Sequence, residues 1–215
     1  MRQANEPGRP LLALPSKRRD RPAYEDQETD GGGLMYAGDT EILRFEAFLT
    51  PAECALLIKL ASARLTSATV ALPEGKRVDH PGRSGAIGFV MDQDGLENVS
   101  DRIAEAIGVP KERFEAFQVV KYGPGDQYEP HYDTFPDGST WLKPGGQRIG
   151  SFLMYLQAPA AGGTTIFPLR SVEITTRAGD AIYFPSAWLH GSTPVVAGEK
   201  WSATKWVREE AFPWH

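Results

Sequence analysis

Between Phe114 and Val207 the chain is built from short runs of β-branched and aromatic residues, FEAFQVVKY, IGSFLMYLQ, TTIF, VEITT, AIYF and WSATKWV, separated by glycine- and proline-bearing turns. Runs this short bury their apolar side chains by pairing as strands, which argues for a barrel or sandwich. Two helices are expected ahead of them. TPAECALLIKLASAR at 50–64 offers Thr50 as N-cap, Pro51 at the first helical position and Glu53 three residues after the cap, the pattern of a capping box. GLENVSDRIAEAIG at 95–108 sets Leu96, Val99, Ile103 and Ile107 three to four residues apart and ends in Gly108, giving one apolar face and a glycine stop. The expected fold class is mainly β with supporting helices, in one domain covering residues 39–215. Residues 1–38 mix Arg, Pro, Gly and acids without an apolar period, the composition of a flexible N-terminal arm.

Charge and cysteine content narrow the function classes. A net charge of −5 argues against a duplex nucleic-acid binder, which needs a surplus of Lys and Arg on one face. No apolar run approaches the ~20 residues that span a bilayer, and LLAL at 11–14 is too short for a signal-peptide core, so no membrane partner and a cytoplasmic location are expected. Cys54 is the single cysteine. A metal here would have to be held by histidine and carboxylate.

HYDTFPDGSTW at 131–141 places His131 and Asp133 two residues apart, so on an extended backbone both aim to one side. His190 lies 59 residues beyond His131, after AIYF and just before a glycine. Two imidazoles and a carboxylate match the facial triad that holds Fe(II) with coordination positions open, and they suit Zn(II) as well. On these residues alone both metals, and ordinary hydrogen-bonded side chains, stay open; His80 and His215 read as solvated. In GEKWSATKW at 198–206, Lys200, Ser202, Thr204 and Trp206 alternate with Trp201, Ala203 and Lys205. If Lys200 points inward it needs an anion, since an unpaired buried ammonium is heavily penalised; if it points outward, the tryptophans are core.

QVVKYGPGDQYEPHYD, GGQRIGSFLMYLQ, GGTTIFP, AGDAIYF and LHGSTPVVAGEKWSATKWV, taken in order, resemble the blocks of the prolyl 4-hydroxylase branch of the Fe(II)/2-oxoglutarate dioxygenases. The likeness runs from about Phe117 to Val207. It implies a double-stranded β-helix, or jelly roll, with Fe(II), 2-oxoglutarate and O2 as the reacting partners and ascorbate as a reductant. It implies that His131, Asp133 and His190 ligate iron and carry the catalysis. It implies that Lys200, ten residues after His190, pairs with the distal carboxylate of 2-oxoglutarate, beside Tyr122 and Thr165. Tyr128, Arg148 and Trp206 resemble residues that face the substrate. The chain departs from the pattern at Arg208, where related peptide hydroxylases can carry histidine, and at RSG, 83–85, a partial substrate-loop motif. The implied reaction hydroxylates a prolyl residue in a peptide or protein, releasing succinate and CO2. Free proline, or another small amino-acid-like molecule, is the alternative substrate, and a non-catalytic metal-binding jelly roll is the alternative of another class. The loop 136–146, rich in turn formers, is expected to be mobile and to act as a lid. The oligomeric state is left open, a homodimer included.

Overall fold

The computed structural model describes residues 41–213; the expected arm over 1–38, and His215, lie outside the described residues. β1 (Leu43–Phe45) leads into α1 (Pro51–Ser62). Between the helices come β2 (Thr66–Ser67), a hairpin of β3 (Val70–Ala71) and β4 (Arg77–Val78), and β5 (Ala86–Val90), followed by α2 (Glu97–Ile107). The strand-rich part holds β6 (Phe117–Tyr122), β7 (Tyr128–His131), β8 (Arg148–Gln157), β9 (Ala161–Gly162) and β10 (Thr165–Phe167). It continues with β11 (Val172–Ile174), β12 (Ala181–Pro185), β13 (His190–Ser192), β14 (Val195–Ala197) and β15 (Lys200–Arg208). No helix among the described residues is long and apolar enough to cross a membrane.

The strands form a seven-stranded sheet in the order β1-β12-β8-β15-β6-β5-β2 and a four-stranded sheet in the order β11-β10-β13-β7. Every pairing is antiparallel. A large antiparallel sheet facing a small one is the jelly-roll architecture expected from the sequence.

Alternation along the strands decides what fills each layer. On β8, Phe152, Met154 and Leu156 join Ala203 and Val207 of β15 and Val119 of β6 in one core cluster, with Leu57 and Ala61 of α1 and Val99, Ile103 and Ile107 of α2. Both helices therefore cover the outer face of the large sheet. The opposite face, with Tyr155, meets Phe167, Ile174 and Phe184 in a second cluster between the sheets. Lys205 falls on the helix-covered face and is fully buried; its Nζ donates to Asp92 and lies 3.9 Å from the Phe117 ring centroid.

The caps form as expected. Thr50 Oγ1 accepts from the Glu53 amide at 3.2 Å and the Thr50 amide donates to Glu53 Oε2 at 2.8 Å, while Gly108 closes α2 at φ 68°. The differences lie in strand limits. FEAFQVVKY becomes strand only at Phe117, VEITT stops at Ile174, and β1 to β5 all precede Phe114, where the sequence shows no strand run. β7 and β13 also escape the sequence pattern, because YEPH and HGS carry a proline and a glycine in place of apolar alternation.

Candidate metal centre and its cavity

β7 and β13 lie side by side with His131 directly opposite His190, their ring centroids 4.4 Å apart. Gly191 permits the close pairing of these strands, since a Cβ there would stand 2.8 Å from the Tyr128 carbonyl oxygen. Asp133 arrives from the loop after β7, its amide donating to the Ser186 carbonyl at 3.0 Å. Its Oδ1 is 3.6 Å from His131 Nε2 and its Oδ2 3.5 Å from His190 Nε2. These gaps are long for hydrogen bonds and suit two donors that each stand about 2.1 Å from one shared ion.

The imidazoles are held in the tautomer a ligand needs. His131 Nδ1 is 2.8 Å from the Glu129 carbonyl and His190 Nδ1 2.9 Å from the Trp188 carbonyl. A carbonyl only accepts, so each Nδ1 carries the proton and each Nε2 turns its lone pair toward Asp133. Burial pushes His190 down to about 4, outweighing the pull of Asp133. Burial would raise the Asp133 carboxyl, but His190, His131 and Arg148 hold it well below the usual carboxylate range. His190 therefore presents a neutral imidazole and Asp133 an anionic carboxylate, and with His131 Nε2 they make a donor set that fits Fe(II). Behind them, Ser151 Oγ donates to Asp133 Oδ2 at 2.6 Å and stands 2.9 Å from Ser186 Oγ. The Tyr128 ring stacks on His131 at 3.5 Å, with the Arg83 guanidinium 4.4 Å from the Tyr128 centroid.

The centre opens into a cavity of about 750 Å³ between the sheets. One face of β15 lines it: Lys200, Ser202, Thr204, Trp206 and Arg208. Trp201, Ala203 and Val207 turn to the outer core, so the alternation puts Lys200 inward. Lys200, 2 % exposed, donates from Nζ to Ser192 Oγ at 2.8 Å, with no carboxylate in salt-bridge reach among the described residues. Burial lowers it to about 7. Its Nζ lies 5.4 Å from the Tyr122 ring centroid and 6.0 Å from that of Tyr155. Tyr155 OH donates to Thr165 Oγ1 at 3.0 Å, and Thr165 pairs with Ser192 across β10 and β13. Lys200, Ser192, Thr165, Tyr155 and Tyr122 thus form one buried polar end. Burial pushes Tyr122 up to about 12, so its hydroxyl keeps its proton and can donate.

At the other end, a register shift between Val207 and Arg208 leaves Ile149 of β8 unpaired. Ile149 turns to the outer core, and the extra residue brings Arg148 onto the cavity face beside Arg208, the re-aiming that a bulge produces. Arg148 donates from Nε and Nη2 to the two Glu115 oxygens, both at 2.7 Å. Its guanidinium lies 3.5 Å from the Trp206 ring centroid and 4.6 Å from that of Phe135. Two of the five guanidinium N–H groups expected to meet a substrate, those of one fork, are therefore committed to Glu115. The loop 136–146, expected to be mobile, holds a turn at Thr140–Leu142 bonded to the β3–β4 hairpin. Trp141 Nε1 donates to the Leu72 carbonyl at 2.8 Å and the Thr140 amide to the Pro73 carbonyl at 2.8 Å.

All nine residues singled out from the sequence, His131, Asp133, His190, Tyr122, Thr165, Lys200, Tyr128, Arg148 and Trp206, line this one cavity. Glu115, Ser151, Ser192 and Tyr155 belong with them and carry no local signal, since their partners stand 33, 18, 8 and 10 residues away. His80 is exposed, accepts from the Gly82 amide at 3.1 Å, and stands at the cavity rim.

Residues 117–208 match the family described as 2OG-Fe(II) oxygenase superfamily. The chain is 36% identical over 197 residues to prolyl 4-hydroxylase 1 of Arabidopsis thaliana, covering 79% of this chain and 69% of that protein. It is 35% identical over 201 residues to probable prolyl 4-hydroxylase 7 of the same plant, covering 80% of this chain and 63% of that protein. Among solved structures it resembles a viral collagen prolyl hydroxylase from Paramecium bursaria Chlorella virus 1 in its 2OG complex. The TM-score is 0.57 with 28% identity, over 78% of this chain and 95% of that one.

Proposed function

The chain belongs to the 2OG-Fe(II) oxygenase superfamily, in its prolyl 4-hydroxylase branch, and from that membership we propose that it hydroxylates a prolyl residue in a peptide or protein. The observation that carries the proposal is the meeting, in one cavity, of the His131–Asp133–His190 cluster and the buried, carboxylate-free Lys200. His131 Nε2, Asp133 and His190 Nε2 would hold Fe(II). When bound, iron supplies the oxidation: one atom of O2 enters the prolyl C–H bond and the other the co-substrate, which leaves as succinate and CO2.

The chain's own residues do the rest. Lys200, with Ser192 and Thr165 beside it, receives the distal carboxylate of 2-oxoglutarate, and Tyr122 adds a hydroxyl donor from the neighbouring strand. A cation waiting without a carboxylate gains more from a dianion than a pre-paired one would. Ser151 fixes the Asp133 carboxylate. The rings of Tyr128 and Trp206 and the Arg148–Glu115 pair bound the side where a target proline would lie, holding its carbon near the centre and excluding water. Ascorbate belongs to the proposal as the reductant that restores ferrous iron.

The test is to offer the iron-loaded protein 2-oxoglutarate and O2 with proline-containing peptides, free proline and a cell extract, and to read added oxygen by mass spectrometry. Oxygen on a prolyl residue is expected. Oxygen on free proline alone would move the substrate to a small amino acid.

A further inference from the structure

Arg208 closes the far end of the cavity, 1 % exposed and paired in register with Arg148. Its Nη2 donates to the carbonyls of Trp141 and Pro144, which pins the loop after β7. Its Nε and Nη1 are buried and have no hydrogen-bond partner among the described residues. Glu115 is the nearest carboxylate: both its oxygens accept from Arg148, and Oε1 forms an ion pair with Arg208 Nε at 3.5 Å without a hydrogen bond. Two rings flank the guanidinium, with the Phe135 centroid at 5.3 Å and the Phe212 centroid at 5.0 Å. A cation beside two rings, with Nη2 anchored and the separate Nε and Nη1 donors left without a hydrogen bond, has single N–H groups to offer to a further acceptor.

The charge balance of the cavity agrees. Its wall carries Arg77, Arg83, Arg148, Lys200 and Arg208 against Glu115, Glu129 and Asp133. Setting aside Lys200 for the co-substrate and Asp133 for the metal leaves four guanidinium groups against two carboxylates, inside a protein whose net charge is −5. Field lines in a concave site of one sign favour a ligand of the other. Trp206 pairs in register with Ser151, the residue bonded to Asp133. Arg208 lies two residues, about 7 Å of strand, beyond it, the reach of one residue of an extended substrate.

We propose that Arg208 is a specificity-determining residue that receives a carboxylate of the substrate, carried either by an acidic side chain within a residue or two of the target proline or by the free carboxyl of a small amino acid. This rests on the proposed hydroxylation for what occupies the cavity, while its own content is the charge of that occupant.

Binding tests it without turnover. Under anaerobic conditions, with Fe(II) and 2-oxoglutarate present, the full chain is titrated calorimetrically with two matched pairs. One pair is a terminally blocked peptide with a single proline, bearing Glu or Gln at each neighbouring position in turn. The other is free proline against prolinamide. In at least one pair the carboxylate form should bind about tenfold tighter, and the pair that shows it names the source. In Arg208→Gln that ratio should fall to about one. In Arg208→Lys, which keeps a cation but not the placement of the Nε and Nη1 donors, it should fall at least threefold; this variant decides the matter if the glutamine variant does not fold. Ratios of one in both pairs for the wild type, or a tenfold ratio that survives in both variants, would overturn the assignment. A peptide bound with the carboxylate preference and never hydroxylated would contradict the proposed reaction and leave Arg208 as assigned. Hydroxylation without the preference would do the reverse.

Discussion

Ser151 is not among the residues that line the cavity, yet its hydroxyl fixes the Asp133 carboxylate from behind at 2.6 Å. Partners of this kind are worth 10–100-fold in metal affinity, so Ser151→Ala should weaken Fe(II) binding by about that factor in an anaerobic titration, with the fold intact. His131→Ala and Asp133→Ala remove a donor and should abolish 2-oxoglutarate turnover with a circular dichroism spectrum like that of the wild type. Lys200 makes a pH prediction. Burial lowers it to about 7 from an ordinary 10.5, so between those values the unfolded chain binds the extra proton and the protein gains stability as pH rises. Lys200→Met should therefore raise the stability of the co-substrate-free protein at neutral pH, by up to about 4 kcal/mol, while destroying its affinity for 2-oxoglutarate. In the wild type that affinity should fall by as much as tenfold per unit above roughly pH 7, with proton uptake on binding. An affinity flat from roughly pH 6 to pH 9 would place the co-substrate carboxylate away from Lys200. His131 and Asp133 stand out in the sequence because they lie two residues apart, whereas alternation left Lys200 open to either face; the order of the motif blocks assigned all three their roles. Glu115 could not be picked out, since its side-chain partners, Arg148 and Arg208, stand far along the chain, the first 33 residues away.

At the scale of elements, both helices were readable from end to end, because caps and apolar faces are local. Glu53 belongs to both: it closes the α1 capping box and accepts from Arg102 of α2 at 2.8 and 3.1 Å. Burial would raise its carboxyl, but Arg102 and the Thr50 donors outweigh it and hold it below its ordinary 4.5. Its contribution is thus present above that value and lost as pH falls through the lower, folded one. Glu53→Gln should cost about 1 kcal/mol at neutral pH in a denaturant melt, and the gap to the wild type should close on acidification below about pH 4. A gap that persists there would mean the cap acts through shape and not through charge. The strands were legible where they are apolar and long, as in β8 and β15. β7 and β13, which carry the histidines, are short and interrupted by Pro130 and Gly191, so their pairing partner and not their own composition makes them strands. The bulge at Ile149 is equally silent in sequence, and it is what turns Arg148 into the cavity.

At the scale of the whole molecule, helices cover one face of the large sheet and leave the other free to enclose a polar, charged cavity against the small sheet. The barrel was inferable from the rhythm of strands and turns, and the jelly-roll identity from the order of the motif blocks. How the two loops meet over the cavity was not, because it depends on pairings between segments nearly 70 residues apart. Trp141→Phe keeps a ring against Phe135 and loses the bond to Leu72, worth about 1 kcal/mol. Amide exchange of residues 136–146 and of the β3–β4 hairpin should then rise together by roughly fivefold. Exchange that rises in one segment only would show that they do not close as a unit. The central claim is that the cavity couples 2-oxoglutarate oxidation to prolyl hydroxylation at His131, Asp133 and His190. Its most direct test is turnover under isotopically labelled O2 with Fe(II), 2-oxoglutarate and a proline-containing peptide, for the wild type and for Asp133→Ala. One labelled oxygen in the prolyl residue and one in succinate, in equal amounts and absent from the variant, is the predicted result; labelled hydroxyproline persisting in Asp133→Ala, or labelled succinate with no labelled peptide product, would contradict it.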